Sequence, residues 1–357
     1  MDGKKMSEER FRTLFRLLRS AGLPIYMEKV PVAYKAYMLL ILPPTYISLL
    51  AVFGDVVQQR NDLKLFMIST RVFIAIADFL WPLTYFSIFQ YKLDRLIHIT
   101  EQFTWEDLPT KDQTTMAGWI NKAQVATKLV YLISMACHLI QSSYRIATIH
   151  ELVFNSWYPF DTTQSPIHEI IIFSQFFGSH VIVAAFAGST ALYAVLVSVA
   201  CSQLRKLSTS ILNLRQKQDM EQELTECIRF HQQIIEYMNE TETSLSIFLF
   251  VQMLILFIGI CLVAFSAVTS WGDHVDVFQA LLAYSMLTGH IFVLCWFGTK
   301  LTQEVESVRT AAWECGWVGT PISFQKTIMF IISRGNKEFA LTAGKFVPMS
   351  NETLLNV

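Results

Sequence analysis

Long apolar stretches alternate with short polar and charged segments along most of the chain. A membrane-spanning helix needs about 20 mostly apolar residues. Six stretches are that long, at roughly 37–57, 65–89, 125–149, 170–200, 245–269 and 277–298. Each is predicted to be a helix, because an open sheet edge leaves unpaired backbone groups in lipid. The pattern therefore predicts an all-α, polytopic membrane helix bundle with six spans.

The apolar pattern continues past the ends of spans four to six with a helical period. In the 201–244 segment the stripe is formed by Leu204, Leu207, Ile211 and Leu214 and then by Leu224, Ile228, His231, Ile235 and Met238. In the 299–333 segment it is formed by Leu301, Val305, Val308 and Ala312 and then by Phe324, Ile328 and Ile331. Such spacing is typical of amphipathic helices, so both segments are predicted to be helices outside the membrane. The stripes either pack on each other or cover a partner subunit.

The basic residues orient the bundle. Of the 28 Lys and Arg residues, eight precede the first span, and the even-numbered connections and the tail carry most of the others. The odd-numbered connections hold only Arg60 and Lys64. By the positive-inside rule the N-terminus is cytosolic, and six spans place the residues after 298 in the cytosol as well.

Composition agrees with a membrane protein, since apolar residues make up 53% of the chain and charged residues 16%. The formal net charge of -1 gives no reason to expect nucleic acid. Neither the six cysteines nor the histidines have metal-ligand spacing, so no metal and no cofactor are expected. No nucleophile elbow, phosphate loop or carboxylate pair is found, and an enzyme is not expected.

Aromatic and ionisable residues in the outer halves of spans two to six suit a cavity for a small apolar ligand. The candidate ligand-binding residues are Phe73, Asp78, Tyr144, Phe173, Phe176, Phe177, His180 and Tyr284. Each aromatic residue could equally face lipid. Arg71 and Asp78 share one helix face. They either pair, flank a polar pocket, or act separately, with Arg71 reaching the outer interface and Asp78 bonded to a neighbouring helix. His138, His180 and His290 are either hydrogen-bonded bundle residues or ligand contacts.

The connection between spans three and four, "ELVFNSWYPFDTTQSP", is unusually apolar for a loop. Trp157, Tyr158 and Phe160 are its largest side chains and would be poorly placed in free water. The loop either rests at the headgroup level, as interfacial aromatic residues do, or folds over the end of the bundle as a lid.

Three stretches resemble the insect odorant receptor family. The first is "LCWFGTKLTQEVESVRTAAWECGWVG" (Leu294–Gly319), with an aromatic-Gly pair at the end of span six. The second is "FQKTIMFIISRGNKEFALTAGKFVPMSNETLLNV", with its "LTAGKF" block. The third is "WYPFDTTQSP" (Trp157–Pro166) in the large loop. Met349 and Leu354 stand where the family commonly has Leu and Phe.

The resemblance implies an odour-tuned subunit that binds a volatile in the outer half of its bundle. It implies a hetero-tetramer with a shared co-receptor, forming a ligand-gated, non-selective cation channel in the plasma membrane of an olfactory neuron dendrite. The loop would cover the ligand pocket. The extensions would form an anchor between subunits, with candidate interface residues Leu301, Val305, Val308, Trp313, Phe324 and Ile328.

The family has seven spans, and the seventh is expected to follow Thr353. Ser350 suits the N-cap of a helix and Glu352 its first turn, yet only four residues come after Thr353. The sequence is therefore expected to lack the pore-lining span. A gustatory receptor is the nearest alternative. A six-span transporter, which calls for repeated halves, and a G-protein-coupled receptor, which calls for an outside N-terminus, fit the pattern less well.

Overall fold

The structure, a computed structural model, describes residues 11–27, 29–101, 103, 116–149, 152–214, 219–335 and 339–356. The α-helices of these residues are α1 (Arg12–Ser20), α2 (Val32–Gln58), α3 (Leu63–Ile88), α4 (Gln90–Glu101), α5 (Met116–Tyr144), α6 (Ile167–Leu212), α7 (Met220–Thr269), α8 (His274–Glu314), α9 (Ile322–Gly335) and α10 (Asn351–Leu355). A 3₁₀ turn, Gln59–Asn61, follows α2, and a π-helical segment, Arg145–Ile149, continues α5. Strands β1 (Thr342–Ala343) and β2 (Val347–Pro348) pair antiparallel.

Each predicted span lies on one helix, with two exceptions: the 65–89 span ends one residue after α3, and the 125–149 span runs from α5 through the π-helical segment. Five helical stretches among the described residues are long and apolar enough to cross a membrane, and a sixth is added if α3 and α4 form one bent span. The axes of α3 and α4 differ by 78°. The helical membrane bundle is thus confirmed, whereas the number of crossings and their direction stay predictions.

The two ends of the bundle differ. At the loop end lie the 152–166 loop and the short α7–α8 connection. At the extension end, α6, α7 and α8 run past the apolar stretches over the segments predicted to be anchor helices. Parts of three segments used in the sequence analysis lie outside the described residues, namely 1–10, 104–115 and 215–218.

Helix α6 is the centre of the bundle. It is buried along most of its length, and small residues let neighbouring helices come close to its backbone. A Cβ added to Gly188 would lie 2.6 Å from Leu18 Cδ2 of α1. Helix α1 is amphipathic, with Leu14, Phe15 and Leu18 buried and Arg12 and Arg16 exposed. The N-terminal helix therefore belongs to the folded bundle.

Aspartate side chains cap the N-termini of three of the helices. Asp62 accepts a hydrogen bond from the Leu65 amide at 3.1 Å, and Asp219 accepts one from the Gln222 amide at 3.2 Å. Asp273 accepts hydrogen bonds from the amides of Val275 and Asp276. Each cap satisfies backbone donors that have no partner within the helix, and so fixes where the chain turns back into the bundle.

The amphipathic extensions pack on each other within the chain. Leu204, Leu207 and Ile211 of α6 are buried, and so are Leu301 and Val308 of α8. Between the two helices, Arg205 pairs with the nearly buried carboxylate of Glu304 at 2.5 Å. Ser208 and Ser307 lie 3.0 Å apart, close enough for a hydrogen bond. The stripes of α6 and α8 thus pack largely in the interior of this one chain, whereas Ile235 of the α7 stripe is exposed.

The segment after α9 is docked on α7 and α8. Glu242 of α7 accepts hydrogen bonds from the amide of Thr342, at 2.9 Å, and from its hydroxyl. The Asn351 amide donates to Thr299 Oγ1 of α8 at 2.8 Å. Ser350 caps α10, as predicted, by accepting from the Thr353 amide. The short helix therefore starts at a position set by α8.

Candidate functional site

A cleft of about 580 Å³ lies between α5, α6 and α8. Its walls are mostly apolar and include small residues, which create the space, and large aromatic ones. Its lining residues include Ala126, Val130, Phe186, Ala187, Thr190, Ala194, Met286, Gly289, His290, Trp296 and Phe297. A volume in this range is typical of small-molecule sites. The cleft lies in the half of the bundle nearer the extension end, since it uses the early part of α5 and the later parts of the α6 and α8 spans. The ligand site was predicted for the outer half, so this cleft differs from the predicted position.

Gly289 shapes one wall of the cleft. No atom lies within 4 Å of a Cβ built there, although the residue is within a long helix. The small side chains of Ala187 and Ala194 on α6 are on the wall too. The open space therefore comes from residue size, and a larger residue at Gly289 would enter it without first displacing the backbone.

His290 brings a polar edge to this apolar wall. Its side chain is 5% exposed, and its Nε2 atom lies 3.5 Å from Thr190 Oγ1, also on the wall. Its ring makes an edge-to-face contact with Phe186, with centroids 4.6 Å apart. Thus one nitrogen of the imidazole is directed toward the lining of the cleft.

Behind His290 lies a buried carboxylate. Asp78 of α3 is fully buried, and its Oδ2 atom is 3.4 Å from His290 Nδ1. Gln252 of α7 donates its amide hydrogen to Asp78 Oδ1. Asp78 therefore joins α3, α7 and α8. Of the interpretations of Asp78 from the sequence, bonding to a neighbouring helix is confirmed, pairing with Arg71 is not observed, and flanking a polar pocket stays a prediction.

Arg71 is engaged elsewhere. Its guanidinium donates to the Asp276 carbonyl oxygen and to Gln279 Oε1 of α8, both at 3.2 Å. Lys64 pairs with the carboxylates of Asp273, at 3.0 Å, and Asp276, at 3.3 Å. These contacts fasten α3 to the start of α8 at the loop end, well away from the cleft.

The 152–166 loop folds onto the end of the bundle. The Trp157 amide donates to the Ala51 carbonyl oxygen of α2 at 2.9 Å, and the Trp157 ring packs against Gly54. The buried Gln175 side chain of α6 accepts from the Phe154 amide at 3.1 Å and donates to Ser156 at 2.7 Å. These contacts favour the second of the two loop interpretations. Trp157, Tyr158 and Phe160 do not line the cleft, so their role as a lid stays a prediction.

None of the eight predicted ligand-binding residues lines this cleft, and as a set they stay predictions. Tyr144, Phe173, Phe177 and Tyr284 are exposed on the chain's surface, and Phe73, Phe176 and His180 are partly buried. Asp78 is the member that the structure brings next to the cleft, through His290.

Several lining residues were missed because nothing local in the sequence distinguishes them. Phe186, Met286, Trp296 and Phe297 resemble every other apolar residue of a span. His290 was considered, but as an isolated residue. The signal that could have found the site is the pair of small residues on α6 together with Gly289 on α8, since small residues permit either close packing or a cavity.

The six predicted anchor residues differ in their burial. Leu301, Val308, Phe324 and Ile328 are buried within the chain, and Val305 is partly buried. Trp313 is 65% exposed and stacks edge-on with Trp317 at the end of α8. Of the six, Trp313 is thus the residue with surface left for a partner, and the interface role of the set stays a prediction.

A multi-pass helical membrane protein with an apolar cleft inside its bundle is the class that these features define. A family model described as 7tm Odorant receptor matches residues 63–357. The chain belongs to this odorant receptor family, so the resemblance found in the sequence is confirmed. The family is one of receptors and not of enzymes, and membership sets aside the transporter and G-protein-coupled receptor alternatives.

Similar proteins agree with this assignment. Odorant receptor 83a of Drosophila melanogaster is 26% identical over 246 residues, covering 53% of this chain and 54% of that protein. Odorant receptor 2a of the same species is 26% identical over 143 residues, covering 40% of this chain and 36% of that protein. The chain thus spans about half or less of the length of these relatives.

The fold is also that of a solved insect receptor. The structure of the olfactory receptor OR5 from Machilis hrabei in complex with eugenol matches with a TM-score of 0.82, at 17% identity, over 99% of this chain and 96% of that one. A second structure of OR5 matches with a TM-score of 0.76 at 18% identity. At this level of identity the likeness establishes the fold.

Proposed function

We propose that this chain is an odour-tuned receptor subunit that binds a small, largely apolar volatile in the cleft between α5, α6 and α8. The observation that carries the proposal is the cleft itself, an apolar space of about 580 Å³ between bundle helices in a member of an odorant receptor family. The complex of OR5 with eugenol supports a ligand of this size for a protein of the same fold.

The lining suits such a ligand energetically. Small ligands gain about 0.3–1.5 kcal/mol per non-hydrogen atom, mostly from apolar burial, so a volatile with few atoms binds with moderate affinity. Aromatic side chains such as Phe186, Trp296 and Phe297 provide contact area, and the adjacent small residues leave room for it. A pocket with few polar groups discriminates by shape and by the placement of those few.

The cleft lies next to the part of α8 that contacts the C-terminal segment. Trp296 and Phe297 line the cleft. Gly298 and Thr299 follow directly: Gly298 packs against Met349, and Thr299 accepts a hydrogen bond from the Asn351 amide. A ligand that displaces this part of α8 would displace the start of α10. For such a movement to gate a channel, the ligand must bind the conducting state more tightly than the resting one.

The proposed assembly is a hetero-tetramer with a co-receptor subunit in the plasma membrane of an olfactory neuron, acting as a non-selective cation channel. Contacts between subunits would use the extension end. Trp313, Val318, Ile322 and Phe330 leave large apolar surfaces exposed there, and apolar patches of this kind mark interaction sites.

The binding proposal is tested with the purified chain in lipid nanodiscs and a panel of volatiles that includes eugenol. Ligand in the cleft is expected to quench the fluorescence of Trp296, and this part of the signal disappears in Trp296→Phe. Gly289→Trp, which fills the cleft, is expected to abolish binding. Leu281→Trp adds the same ring to an exposed position of α8 and should leave binding unchanged. Equal loss of binding in both tryptophan variants, or in neither, would contradict the assignment.

The channel proposal needs a separate experiment. The chain is expressed with a co-receptor subunit, and volatile-evoked cation currents are recorded. Binding retained together with absent currents would reject the channel role while leaving the binding site in place.

Subunit association is tested by co-purification. Trp313→Glu is expected to reduce co-purification of the two subunits, and Leu281→Glu, at an exposed position far from the extension end, is its control.

A further inference from the structure

The geometry points to a buried hydrogen-bond donor on the wall of the cleft, His290 Nε2–H, and we infer that the cleft selects ligands with a carbonyl-type acceptor over hydrocarbons of the same shape. This inference rests on the proposed function, because it concerns the chemistry of the same cleft. The buried neighbours of His290 determine where its protons must lie.

Thr190 settles one side of the ring. The Thr190 hydroxyl donates to the carbonyl oxygen of Phe186, one turn earlier on α6, at 3.0 Å. Its single proton is thereby used, so its oxygen faces His290 Nε2 as an acceptor at 3.5 Å. A nitrogen that faces an acceptor is favoured in its protonated form. His290 Nε2 is therefore the donor, and Thr190, at this long distance, holds it weakly.

Asp78 settles the other side. Asp78 Oδ2 and His290 Nδ1 are both buried, and neither has another hydrogen-bond partner among the described residues. They lie 3.4 Å apart, and two lone pairs facing each other there would repel. One proton must lie between them. A carboxylate beside a neutral imidazole that is protonated only at Nδ1 would leave a net charge buried inside the span, which is costly. In both neutral arrangements, an imidazolium beside a carboxylate and an imidazole beside a carboxylic acid, Nε2 carries a proton.

Gln252 holds the carboxylate in place. Its amide nitrogen donates to Asp78 Oδ1, which leaves Oδ2 directed at His290. The arrangement Gln252–Asp78–His290 crosses from α7 through α3 to α8 and ends at the cleft wall. Placing ionisable groups inside a span is costly, and each must be paired, so a buried row that ends in one weakly engaged donor is a specific feature of the lining.

A donor at this position favours ligands that carry a hydrogen-bond acceptor. A ketone, aldehyde or ester oxygen can replace Thr190 as the acceptor for Nε2–H. A hydrocarbon of the same shape cannot, and it leaves this donor with its poor contact to Thr190. A site with a placed donor discriminates against an analogue that lacks the acceptor, whereas apolar contacts alone do not.

The test uses two probes that differ in one group, acetophenone and α-methylstyrene, in which a C=CH₂ replaces the C=O. Equilibrium binding of each tritiated probe is measured on the full chain in nanodiscs. The chain is expected to bind acetophenone about tenfold more tightly than α-methylstyrene. His290→Phe keeps an aromatic ring of similar size and should remove this preference while leaving α-methylstyrene binding within about twofold.

Two further variants keep the test decisive. In the double variant Asp78→Asn and His290→Phe no carboxylate is left without its partner, so it replaces the single variant if that one fails to fold. Thr190→Val removes the competing acceptor and should retain the preference or raise it, which a purely structural role for His290 would not produce. His98→Phe is the control, because His98 lies beside Glu101 on the surface and does not line the cleft.

The outcomes separate the two proposals. Selective loss of acetophenone binding in His290→Phe supports the inference. Equal affinities of the unmodified chain for both probes, or parallel loss of both in His290→Phe, overturns it while the binding site stands. Absence of binding of either probe, with Gly289→Trp indistinguishable from the unmodified chain, overturns the cleft as a ligand site and the inference with it.

Discussion

Helices α5 and α6 were equally recognisable as apolar spans in the sequence, yet they occupy opposite environments. Over the described residues, 94% of the most apolar stretch of α6 is buried within the chain, compared with 12% of that of α5. Apolar residues are favourable both in lipid and in a protein interior, so hydropathy identifies a span without telling what covers it.

The difference lies in residue size. Helix α6 carries Ala184, Ala185, Ala187, Gly188 and Ser189 within six positions, which allows neighbours to reach its backbone from several sides. Helix α5 presents large side chains to the outside, among them Leu132, Ile133 and Ile140. The cleft lies where these two helices meet α8, so one of its walls belongs to the most enclosed helix and another to a peripheral one.

Truncation of a leucine should give the largest contrast between the two helices. Leu192→Ala on α6 removes a side chain that is 1% exposed and is expected to cost about 2–5 kcal/mol, through lost packing and the cavity left behind. Leu132→Ala on α5 alters a residue that is 60% exposed and should cost much less. Unfolding of both variants in nanodiscs is measured by steric trapping. Similar losses at the two positions would show that α5 is as enclosed as α6.

A smaller effect is expected where α8 meets the C-terminal segment. A Cβ at Gly298 would overlap the carbonyl oxygen of Met349, so Gly298→Ala must push the 341–349 hairpin away, at about 1–3 kcal/mol. Hydrogen exchange should accelerate at the amides of Gly344 and Met349, which donate to Ser246 and Leu341. Unchanged exchange at both amides would show that the hairpin is held independently of α8. Glu242→Gln, which weakens the other attachment, gives the reference for a loosened hairpin.

Local features of this structure were predictable and long-range ones were not. The cap at Ser350 depends on residues within one turn, and the stripe of Leu204, Leu207 and Ile211 depends on helical periodicity. Both features involve residues that are close in the sequence, so the sequence alone was enough to predict them. Asp78 and Gln252 are 174 positions apart, and only the way α3 packs on α7 brings them together. The same holds for His290, whose isolation along the chain says nothing about its neighbours in space.

The position of the cleft could not be predicted from the sequence either. Aromatic residues were used as the sign of a ligand site, but Tyr144, Phe173 and Phe177 are exposed, as side chains that face lipid would be. A cavity forms where side chains are absent, and the relevant residues are Ala187, Ala194 and Gly289. Whether small residues produce a cavity or close contact depends on the opposing helix, as the tight packing of Gly188 on Leu18 shows.

A modest gain in stability should distinguish the open glycine from the packed ones. Gly289→Ala meets no atom within 4 Å, and alanine lowers the conformational freedom of the unfolded chain. The expected stabilisation is about 0.4–1 kcal/mol, measured as a raised melting temperature in nanodiscs. Gly188→Ala, whose Cβ would lie 2.6 Å from Leu18, should lower it. A loss of stability in Gly289→Ala would mean that the cleft wall is closed in solution.

The smallest effect concerns the loop end, where α3 is fastened to the start of α8. The hydrogen bond from Lys64, together with the amide of Asp276, lowers the pKa of Asp273 below its ordinary value of 3.8. A carboxyl group with a lowered pKa stabilises the folded state above its ordinary pKa, and this contribution is lost as the pH falls through the lowered value.

Lys64→Gln removes the main cause of the lowered pKa of Asp273. Its melting temperature should therefore lie slightly below that of the unmodified chain at neutral pH, with the gap closing as the solution is acidified past pH 3.8. Both groups are exposed to solvent, so added salt should shrink the gap at neutral pH as well. A gap that widens in acid would assign the contact a different role, because protonation of Asp273 can only weaken its attraction to Lys64.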